Sequence, residues 1–535
     1  MSRRLFIPLL FAASMLFVYV WVARSAETPH DGAMISVTSN LDETGGPDCT
    51  LRDAVTTVNT GVDTGGCVVV GSGAPITISL DATGPYSITY SDSPSGTLGM
   101  TGLPNIVSDI VLEGNGETIM RSNADGTPNF RLFTVEITGT LQLRNVTIQN
   151  GHPGGTDLAG SGGAIFNMGY LSLFNTLIVS NTATGLGGGG IMNYWNGASI
   201  TPTLVLKASE MQLNTGGAIY SSNGSVSIHS SNIHDNDRVG LYNEAGVVEI
   251  SLSTLASNGV VNGNGGGVKS FNGNFTIIDS TVKDNVSEDG AGGLVIYGPH
   301  LFVYNSTISN NSSFGSNGNG GGISGVSDDF WILNSTISGN STDYNGGGLN
   351  IGGLITITHT TISGNNAATD GDGIFGQPDS SILLYNSILT HHPQEDCYLH
   401  GTMNGTTNLI DGLTCGSSPS FRFAAVTNFD IVLADHGGPT WTHAIFSNSN
   451  AVDSVECILS PETDQRGIPR PQDGDGNGQF FCDVGSFELD TLVTPTPTIT
   501  PTPTVTPTPT VTPTPTTPSG SNSFLPIIQN KPTNP

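Results

Sequence analysis

The sequence predicts an all-β protein: a single-stranded, right-handed parallel β-helix with an N-terminal and a C-terminal cap. Three observations predict this fold. Glycine-rich marks recur about every 26 residues, and a second motif that ends in asparagine keeps phase with them. The segments between the marks are short, β-branched and alternating, without the 3.6-residue period of a helix.

Each glycine mark is followed by a small or aliphatic residue, and its last glycine defines the phase of the repeat. The mean interval of about 26 residues suits one coil of a β-helix and is too short for a propeller blade of about 40 to 45 residues. Nine marks and about two coils upstream predict roughly 11 coils and a rod of about 50 Å. The last glycines are Gly163, Gly190, Gly217, Gly240, Gly267, Gly293, Gly322, Gly348 and Gly373.

The second motif has the form of the segment from Asn334 to Asn340, Asn-Ser-Thr-Ile-Ser-Gly-Asn. Alternation predicts that its Ile, Val and Leu residues point into a narrow core and that Thr and Ser point outward. Asparagines at equivalent places in successive coils are expected to stack as a hydrogen-bonded ladder. Glycine is expected at corners that need a positive φ or a close approach of two backbones.

The chain divides into six predicted segments. Residues 1–25 are an export signal, 26–105 an N-terminal cap, 106–390 the β-helix, 391–490 a C-terminal cap, 491–518 a Thr/Pro-rich stalk and 519–535 a tail. The signal has Arg3 and Arg4, an apolar run, and small residues at a cleavage site ending at Ser25. The alternative is an uncleaved membrane anchor. Either reading predicts a secreted or cell-surface protein.

The stalk is a different polymer from the rest of the chain. Thr494 to Pro518 contains 9 Pro and 13 Thr, so it cannot join a sheet and is expected to be extended. The tail carries one apolar patch, Phe524 to Ile528, which is too short to cross a bilayer. A stalk between a folded body and a short patch suggests display away from a surface.

One helix is predicted at the N-terminal end, from Thr50 to Asn59. Thr50 and Asp53 have the spacing of a capping box, and Leu51, Ala54, Val55 and Val58 share one helical face. This apolar face is expected to cover the first coil.

Six cysteines in an exported chain favour disulfides over metal binding. Fifteen pairings are formally possible. We prefer the pairing of cysteines that are neighbours in the sequence, because all six lie outside the predicted coils. These bridges would stabilise the two caps. The predicted pairs are Cys49 with Cys67, Cys397 with Cys415, and Cys457 with Cys482.

Three stretches resemble families of bacterial surface proteins. Cys49 to Ala54 looks like the CSLREA-type N-terminal domain, and the glycine marks with Phe302 to Asn305 resemble polymorphic outer membrane protein repeats. Leu433 to Thr440, Thr463 to Pro471 and Asp483 to Glu488 resemble the choice-of-anchor Q domain. The resemblances imply a secreted or surface-displayed right-handed β-helix and bring no established catalytic residues.

Charge excludes some classes of partner. The chain has 44 acidic and 15 basic residues and a net charge of −29, so nucleic acids and anionic membrane surfaces are poor partners. Catalysis of the kind that lyases or hydrolases perform on a β-helix requires converging acids or bases. The best cluster is His234 to Arg238, where Asp235 and Asp237 are expected to share one face, but we favour a solvated corner equivalent to the Ser-Gly-Asn turns of other coils. We therefore predict no catalytic residues.

Calcium is the one cofactor that the sequence suggests. Asp473, Asp475 and Asn477 have the spacing of the first three ligands of a calcium loop, with glycines between them. The twelfth position is Val484 where such a loop has Glu, and Asp483 or Glu488 would have to substitute. A plain polar turn is the alternative. Zinc binding by His391, His392, Asp396, Cys397 and His400 is disfavoured because an oxidised Cys397 offers no thiolate.

The sequence thus predicts a binding or structural module that acts in adhesion or in contact with envelope or extracellular polysaccharide or surface proteins. A long repetitive face would provide weak multivalent contacts. One alternative is a polysaccharide lyase or glycoside hydrolase with a groove along the coils, and another is a passive envelope or sheath protein. The coil aromatics Phe275, Phe302 and Trp331 are expected in the core or in stacks between coils.

Overall fold

The computed structural model describes residues 32–92, 97–259, 265–317, 319–412, 414–415, 424–457 and 460–490. The predicted export signal, stalk and tail lie outside these ranges. Within them, successive strands pair in parallel, coil after coil. The protein is a right-handed parallel β-helix, as the sequence predicts.

Three sheets run along the coils. The long sheet has nineteen strands: Met34–Val37, Ile76–Leu80, Asp109–Glu113, Phe133–Val135, Thr140–Arg144, Ile165–Asn167, Tyr170–Phe174, Ile191–Tyr194, Thr203–Lys207, Ile219–His229, Leu241–Ser251, Val268–Ile278, Leu294–Tyr304, Ile323–Leu333, Leu349–Thr358, Ile374–Gly376, Ser381–Tyr385, Cys397–Leu399 and Thr402–Thr406.

The short-strand sheet has thirteen strands: Tyr86–Ile88, Thr118–Arg121, Thr147–Gln149, Leu177–Val179, Glu210–Gln212, Asn232–His234, Thr254–Ala256, Thr281–Lys283, Thr307–Ser309, Thr336–Ser338, Thr361–Ser363, Ile388–Thr390 and Leu409–Ile410. The third sheet has four strands: Val286–Asp289, Ser312–Asn317, Ser341–Thr342 and Asn366–Ala367.

The coils extend beyond the predicted range at both ends. Met34–Val37 already pairs with Ile76–Leu80, and Leu409–Ile410 still pairs with Ile388–Thr390. The thirteen short strands therefore describe two coils more than the roughly 11 expected. The glycine marks missed the end coils because other residues replace them there. Asp396, for example, precedes the strand Cys397–Leu399, which pairs with Ile374–Gly376.

The core is a set of inward-facing columns. In Thr140–Arg144, Leu141 and Leu143 are fully buried while their neighbours are partly exposed, which is the predicted alternation. One residue of each coil pairs in register with its equivalent in the next and is fully buried. One such column contains Ile219, Leu241, Val268, Leu294, Ile323, Leu349 and Ile374.

The asparagine ladder is present and buried. At a typical rung, Asn285 Oδ1 accepts the backbone N–H of Asn258 at 2.9 Å and its side-chain N–H at 3.1 Å. Each rung thus satisfies a buried donor of the preceding coil, which would otherwise cost about 1–3 kcal/mol. Asn311 is the rung of its coil, because its neighbour Asn310 occupies the left-handed corner with φ 53°. The rungs are Asn181, Asn214, Asn236, Asn258, Asn285, Asn311, Asn340 and Asn365.

The glycine marks lie where neighbouring coils come closest. A Cβ added to Gly322 would lie 2.7 Å from the carbonyl oxygen of Gly348 and 3.0 Å from Asn340 Nδ2. No side chain fits at that distance, so the close backbone approach expected from the sequence explains this mark.

The predicted helix is observed as α1, Leu51–Thr60, and Thr50 caps it by accepting the backbone N–H of Asp53 at 3.1 Å. Its predicted apolar face is buried in the core. Arg52 attaches the helix to the first coils by donating to Asp42 and to the carbonyl oxygen of Gly102, both at 2.7 Å. Among the described residues, no helix is long and apolar enough to span a bilayer.

Residues 424–457 and 460–490, here called the flank segment, lie along the side of the β-helix. Gln465 Nε2 donates to Thr307 Oγ1 at 2.9 Å, and the backbone N–H of Ser486 donates to Thr361 Oγ1 at 3.1 Å. The sequence predicted a cap for the end of the coils, whereas this segment returns to coils up to 158 residues upstream. Outward threonine hydroxyls of the short-strand sheet provide the partners for this side-on packing.

Candidate functional site

Four aromatic side chains form a continuous row on the outer face of the long sheet. We call Tyr220, Tyr242, Phe271 and Tyr297 the aromatic row. Their successive ring centroids are 4.7, 5.7 and 5.9 Å apart. Tyr297 is 40% exposed, and the other three rings are partly buried. The row therefore gives the acidic protein a narrow apolar strip across four coils.

Strand register explains the row. Tyr220 pairs with Tyr242, and Phe271 pairs with Tyr297 two positions further along the strand, on the same outward face. The sequence interpretation missed these residues. An alignment of the coils on the buried column of Ile219, Leu241, Val268 and Leu294 would have found them. Tyr220 and Tyr242 lie one position after their column residue, and Phe271 and Tyr297 lie three positions after theirs. Of the aromatics that it named, Phe275 is in the core and 1% exposed, whereas Phe302 and Trp331 are neighbours in register on adjacent coils.

A pocket of about 260 Å³ opens beside the first two rings of the row. Its wall includes Leu186, Gly187, Gly216, Tyr220, Arg238 and Tyr242. Because two of these residues have no side chain, the ring of Tyr220 is left accessible from the pocket. Arg238 is exposed, and within the described ranges its guanidinium has no hydrogen bond or ion pair.

Glu244 follows Tyr242 by two positions and accepts a hydrogen bond from the hydroxyl of Tyr220 at 3.1 Å. Burial raises the pKa of Tyr220, and the charge of Glu244 raises it further. The phenol therefore remains a neutral donor. Two opposite charges therefore flank the pocket. Arg238 precedes the strand Leu241–Ser251, and Glu244 follows Tyr242 along that strand.

The cluster from His234 to Arg238 is divided among separate contacts. His234 lies 2.7 Å from Glu210 Oε1 and 2.7 Å from Asp235 Oδ2. Burial lowers the pKa of His234, but bonds to the two carboxylates outweigh burial and raise it overall. Asp237 Oδ1 accepts the backbone N–H groups of Gly216 at 2.7 Å and Gly217 at 3.1 Å. Each of the two carboxylates thus holds a local structure, and Asp235 occupies a left-handed corner with φ 52°.

The predicted calcium residues lie in the flank segment. The ligand atoms of Asp453, Asp473 and Asp475 lie within 4.8 Å of one another, and they are the one such acidic group among the described residues. Asp453 was missed because it precedes the loop by 20 residues. Asn477 faces its own turn: its Oδ1 accepts from the backbone N–H of Gln479 at 2.8 Å, and its amide donates to Asp475 at 2.8 Å.

The oxygen donors of this group fit a hard cation. Asp453 Oδ1 and Asp473 Oδ1 are buried atoms without a hydrogen-bond partner. Burial raises the pKa of Asp453, and the charges of Asp475 and Asp473 contribute to the increase. Asp483 and Glu488, the predicted substitutes for the twelfth ligand, are engaged elsewhere. Asp483 accepts from the backbone of Asp453 and Leu489, while Glu488 pairs with Arg470.

The three disulfides form as predicted, between Cys49 and Cys67, Cys397 and Cys415, and Cys457 and Cys482. Cys397 belongs to the last described coil of the long sheet, so its bridge fastens a coil as well as the chain that follows. His392 is bound to Asp396 at 2.7 Å, and no zinc-type group occurs among the described residues.

The residues that resemble a choice-of-anchor domain fasten the flank segment. Arg470 and Glu488 are both fully buried and 2.6 Å apart, and Gln465 bridges hydroxyls of two segments by donating to Thr307 and Thr440, both at 2.9 Å. Burial raises the pKa of Asp483 to about 8, with the charge of Glu488 acting in the same direction. The polar residues Gln465, Arg470 and Glu488 of this motif therefore have a structural role in holding the flank segment.

Known proteins resemble this chain only distantly. No protein-family model and no curated protein matches the chain. Among solved structures it is similar to the crystal structure of pectate lyase Pel9A, with 15% identity and a TM-score of 0.41 over 88% of this chain and 98% of that one. So distant a likeness carries no argument about activity. The strand pairing itself assigns the chain to the class of parallel β-helix proteins.

Proposed function

We propose that the protein acts outside the cell as a polysaccharide-binding β-helix, with the aromatic row and its pocket as the contact face. The observation that carries this proposal is the row itself, four adjacent rings on an outward face. Aromatic side chains combine apolar contact area with polar edges, which suits sugars. The three disulfides support an oxidising location.

The geometry of the row suggests many weak contacts along the polymer. Neighbouring rings are stacked or tilted against one another, so a glycan chain would touch mainly ring edges and tyrosine hydroxyls. Three coil steps give a strip of about 14 Å. Repetition of such contacts along a polymer raises the overall affinity above that of any single contact.

Display at the cell surface is the second part of the proposal. It is supported by the export signal and Thr/Pro stalk predicted from the sequence, and by the resemblances to CSLREA-type, polymorphic outer membrane protein and choice-of-anchor Q segments. Adhesion through the same face, including contact with surface proteins, would follow from display.

A glycan array with the purified exported chain tests the proposal. We expect binding to extracellular polysaccharides, and at least a tenfold loss in the Tyr242→Ala and Phe271→Ala variants. Tyr344→Ala is the matched control, because this partly buried tyrosine lies outside the row. Equal binding by the wild type and all variants would show that the contact face lies elsewhere on the protein.

The same glycans test the two alternatives. Release of reducing or unsaturated sugars that is lost in Asp235→Ala or Asp237→Ala would replace the binding module with a lyase or hydrolase. A blank array, together with release of the protein from whole cells by protease shaving, would favour a passive envelope or sheath protein.

A further inference from the structure

We infer that the pocket at Arg238 seats one carboxylated sugar ring, whose carboxylate pairs with the guanidinium while Tyr220 and Tyr242 pack against the ring. This inference deepens the proposed function and rests on it, because it assigns a sugar chemistry to one end of the same face.

The charge of Arg238 is the first argument. The other six basic residues of the predicted coils all have partners: Arg121, Arg131, Arg144, Lys207, Lys269 and Lys283. Arg238 has none within the part of the chain that the structure describes, although the protein has a net charge of −29. Even its neighbour Asp237 is turned away to the backbone of Gly216 and Gly217. An exposed guanidinium offers a planar fork of donors that matches a carboxylate.

The size of the pocket is the second argument. About 260 Å³ is below the roughly 300–1,000 Å³ typical of drug-sized ligand sites, and it suits a single sugar ring. Gly187 keeps this space open at φ 143°, and a Cβ there would lie 3.2 Å from Cδ2 of Tyr220. A larger residue would crowd the ring of Tyr220, against which the sugar is proposed to pack.

The distribution of charge limits the ligand further. Glu244, Phe271 and Tyr297 lie beyond Tyr242. The charge of Glu244 repels a second carboxylate there, while its oxygens accept hydrogen bonds from sugar hydroxyls. The preferred ligand is therefore a chain in which a carboxylated ring is next to neutral rings. A polymer with a carboxylate on every ring would meet repulsion along the row.

The test compares oligosaccharides of alternating uronic acid and neutral sugar with their carboxyl-reduced counterparts, by calorimetric titration of the full chain. We expect the wild type to bind the acidic form at least tenfold more tightly than the reduced form. Arg238→Gln should bind both forms at the level of the reduced one. Lys283→Gln, which removes an exposed charge from the short-strand sheet, should behave as wild type.

Each other outcome is decisive. Equal wild-type affinity for the two forms, or an unchanged preference in Arg238→Gln, would overturn the pocket assignment. If, in that case, Tyr242→Ala and Phe271→Ala still bind both forms more weakly than the wild type does, the proposed function holds and only the pocket assignment fails. If the wild type binds neither form yet binds neutral glycans through the row, the pocket assignment alone fails. If it binds no glycan at all, both proposals fail. An unchanged melting temperature would show that Arg238→Gln remains folded.

Discussion

Arg470 and Glu488 form an ion pair that is completely buried between the flank segment and the β-helix. Arg470 Nη1 lies 2.6 Å from Glu488 Oε2, and its Nη2 donates to the carbonyl oxygen of Gly485 at 2.8 Å. Glu488 Oε1 accepts the backbone N–H of Gln472 at 2.9 Å. The pair thus joins residues 470–472 to residues 485–488 of the flank segment, and Arg470 Nη2 also donates to Asn334 Oδ1 of the β-helix at 3.4 Å.

Removing one partner of this pair should loosen the flank segment. Arg470→Ala leaves the Glu488 charge buried without its cation, which is expected to cost about 3–5 kcal/mol. Hydrogen exchange should accelerate in residues 460–490 and stay unchanged in coils near Leu141. His300→Ala, at an exposed pair with Asp329 on the long sheet, should change neither. Slow exchange throughout the flank segment of Arg470→Ala would mean that other contacts hold it.

Breaking one rung of the asparagine ladder should destabilise the coils. Asn285→Ala removes the acceptor for two N–H groups of Asn258 and leaves them buried, at about 1–3 kcal/mol for each unsatisfied group. The melting temperature should fall. Asn232→Ala is the control, since this asparagine is exposed on the short-strand sheet. Similar melting of the two variants would rule out a stabilising ladder.

Calcium should stabilise the flank segment through Asp453, Asp473 and Asp475. Adding calcium to chelator-treated protein is expected to raise the melting temperature by several degrees, because binding to the folded state alone adds to stability. Asp473→Asn should abolish the increase, while Asp343→Asn, an exposed carboxylate in the coils, should preserve it. A melting temperature that is unchanged by calcium and by chelator would show that these residues form a plain polar turn and not a calcium site.

Acid should weaken the contact made by His443. Its Nδ1–H donates to the carbonyl of Asp430 at 2.9 Å, so its Nε2 accepts from the Ser338 hydroxyl at 2.8 Å and the ring is neutral. Burial lowers the pKa of His443 from 6.5 to about 4. A group with a lowered folded pKa contributes stability above pH 6.5 and loses it as pH falls to 4, here about 3 kcal/mol.

Measurement of the melting temperature between pH 6.5 and 4 checks this expectation, with His443→Gln as the comparison. Glutamine offers one amide donor and one acceptor and does not titrate, so the variant should lose less stability over this range. Asp483, with its folded pKa raised to about 8, acts in the opposite direction, because its buried protonated form gains stability as pH falls from 8 toward 4. Parallel curves for wild type and variant would contradict the assignment to His443.

Much of the fold was predictable because a β-helix repeats its constraints. Each coil needs glycine where backbones meet, asparagine at the buried rung and alternating aliphatics inside, and these recur in the sequence at one period. The coils at Met34 and Leu409 were not predicted, since Asp396 and other residues replace the mark there.

The candidate site was predictable only in part. Spacing along the chain identified Asp473 and Asp475, but Asp453 and the aromatic row depend on contacts between distant positions. The position of the flank segment was also beyond sequence reasoning. Its bonds run from Gln465 and Ser486 to threonines 125 to 158 residues upstream, and nothing in the local sequence specifies them.

The side-on attachment of the flank segment has a mechanical consequence. Because Gln465 and Ser486 are bonded to coils two to four before the last described one, a pull on the chain at residue 490 reaches those coils before it reaches the terminal coil. The load is then shared in shear across several coils, where many bonds must break together. Unzipping from the open end, one strand at a time, is bypassed.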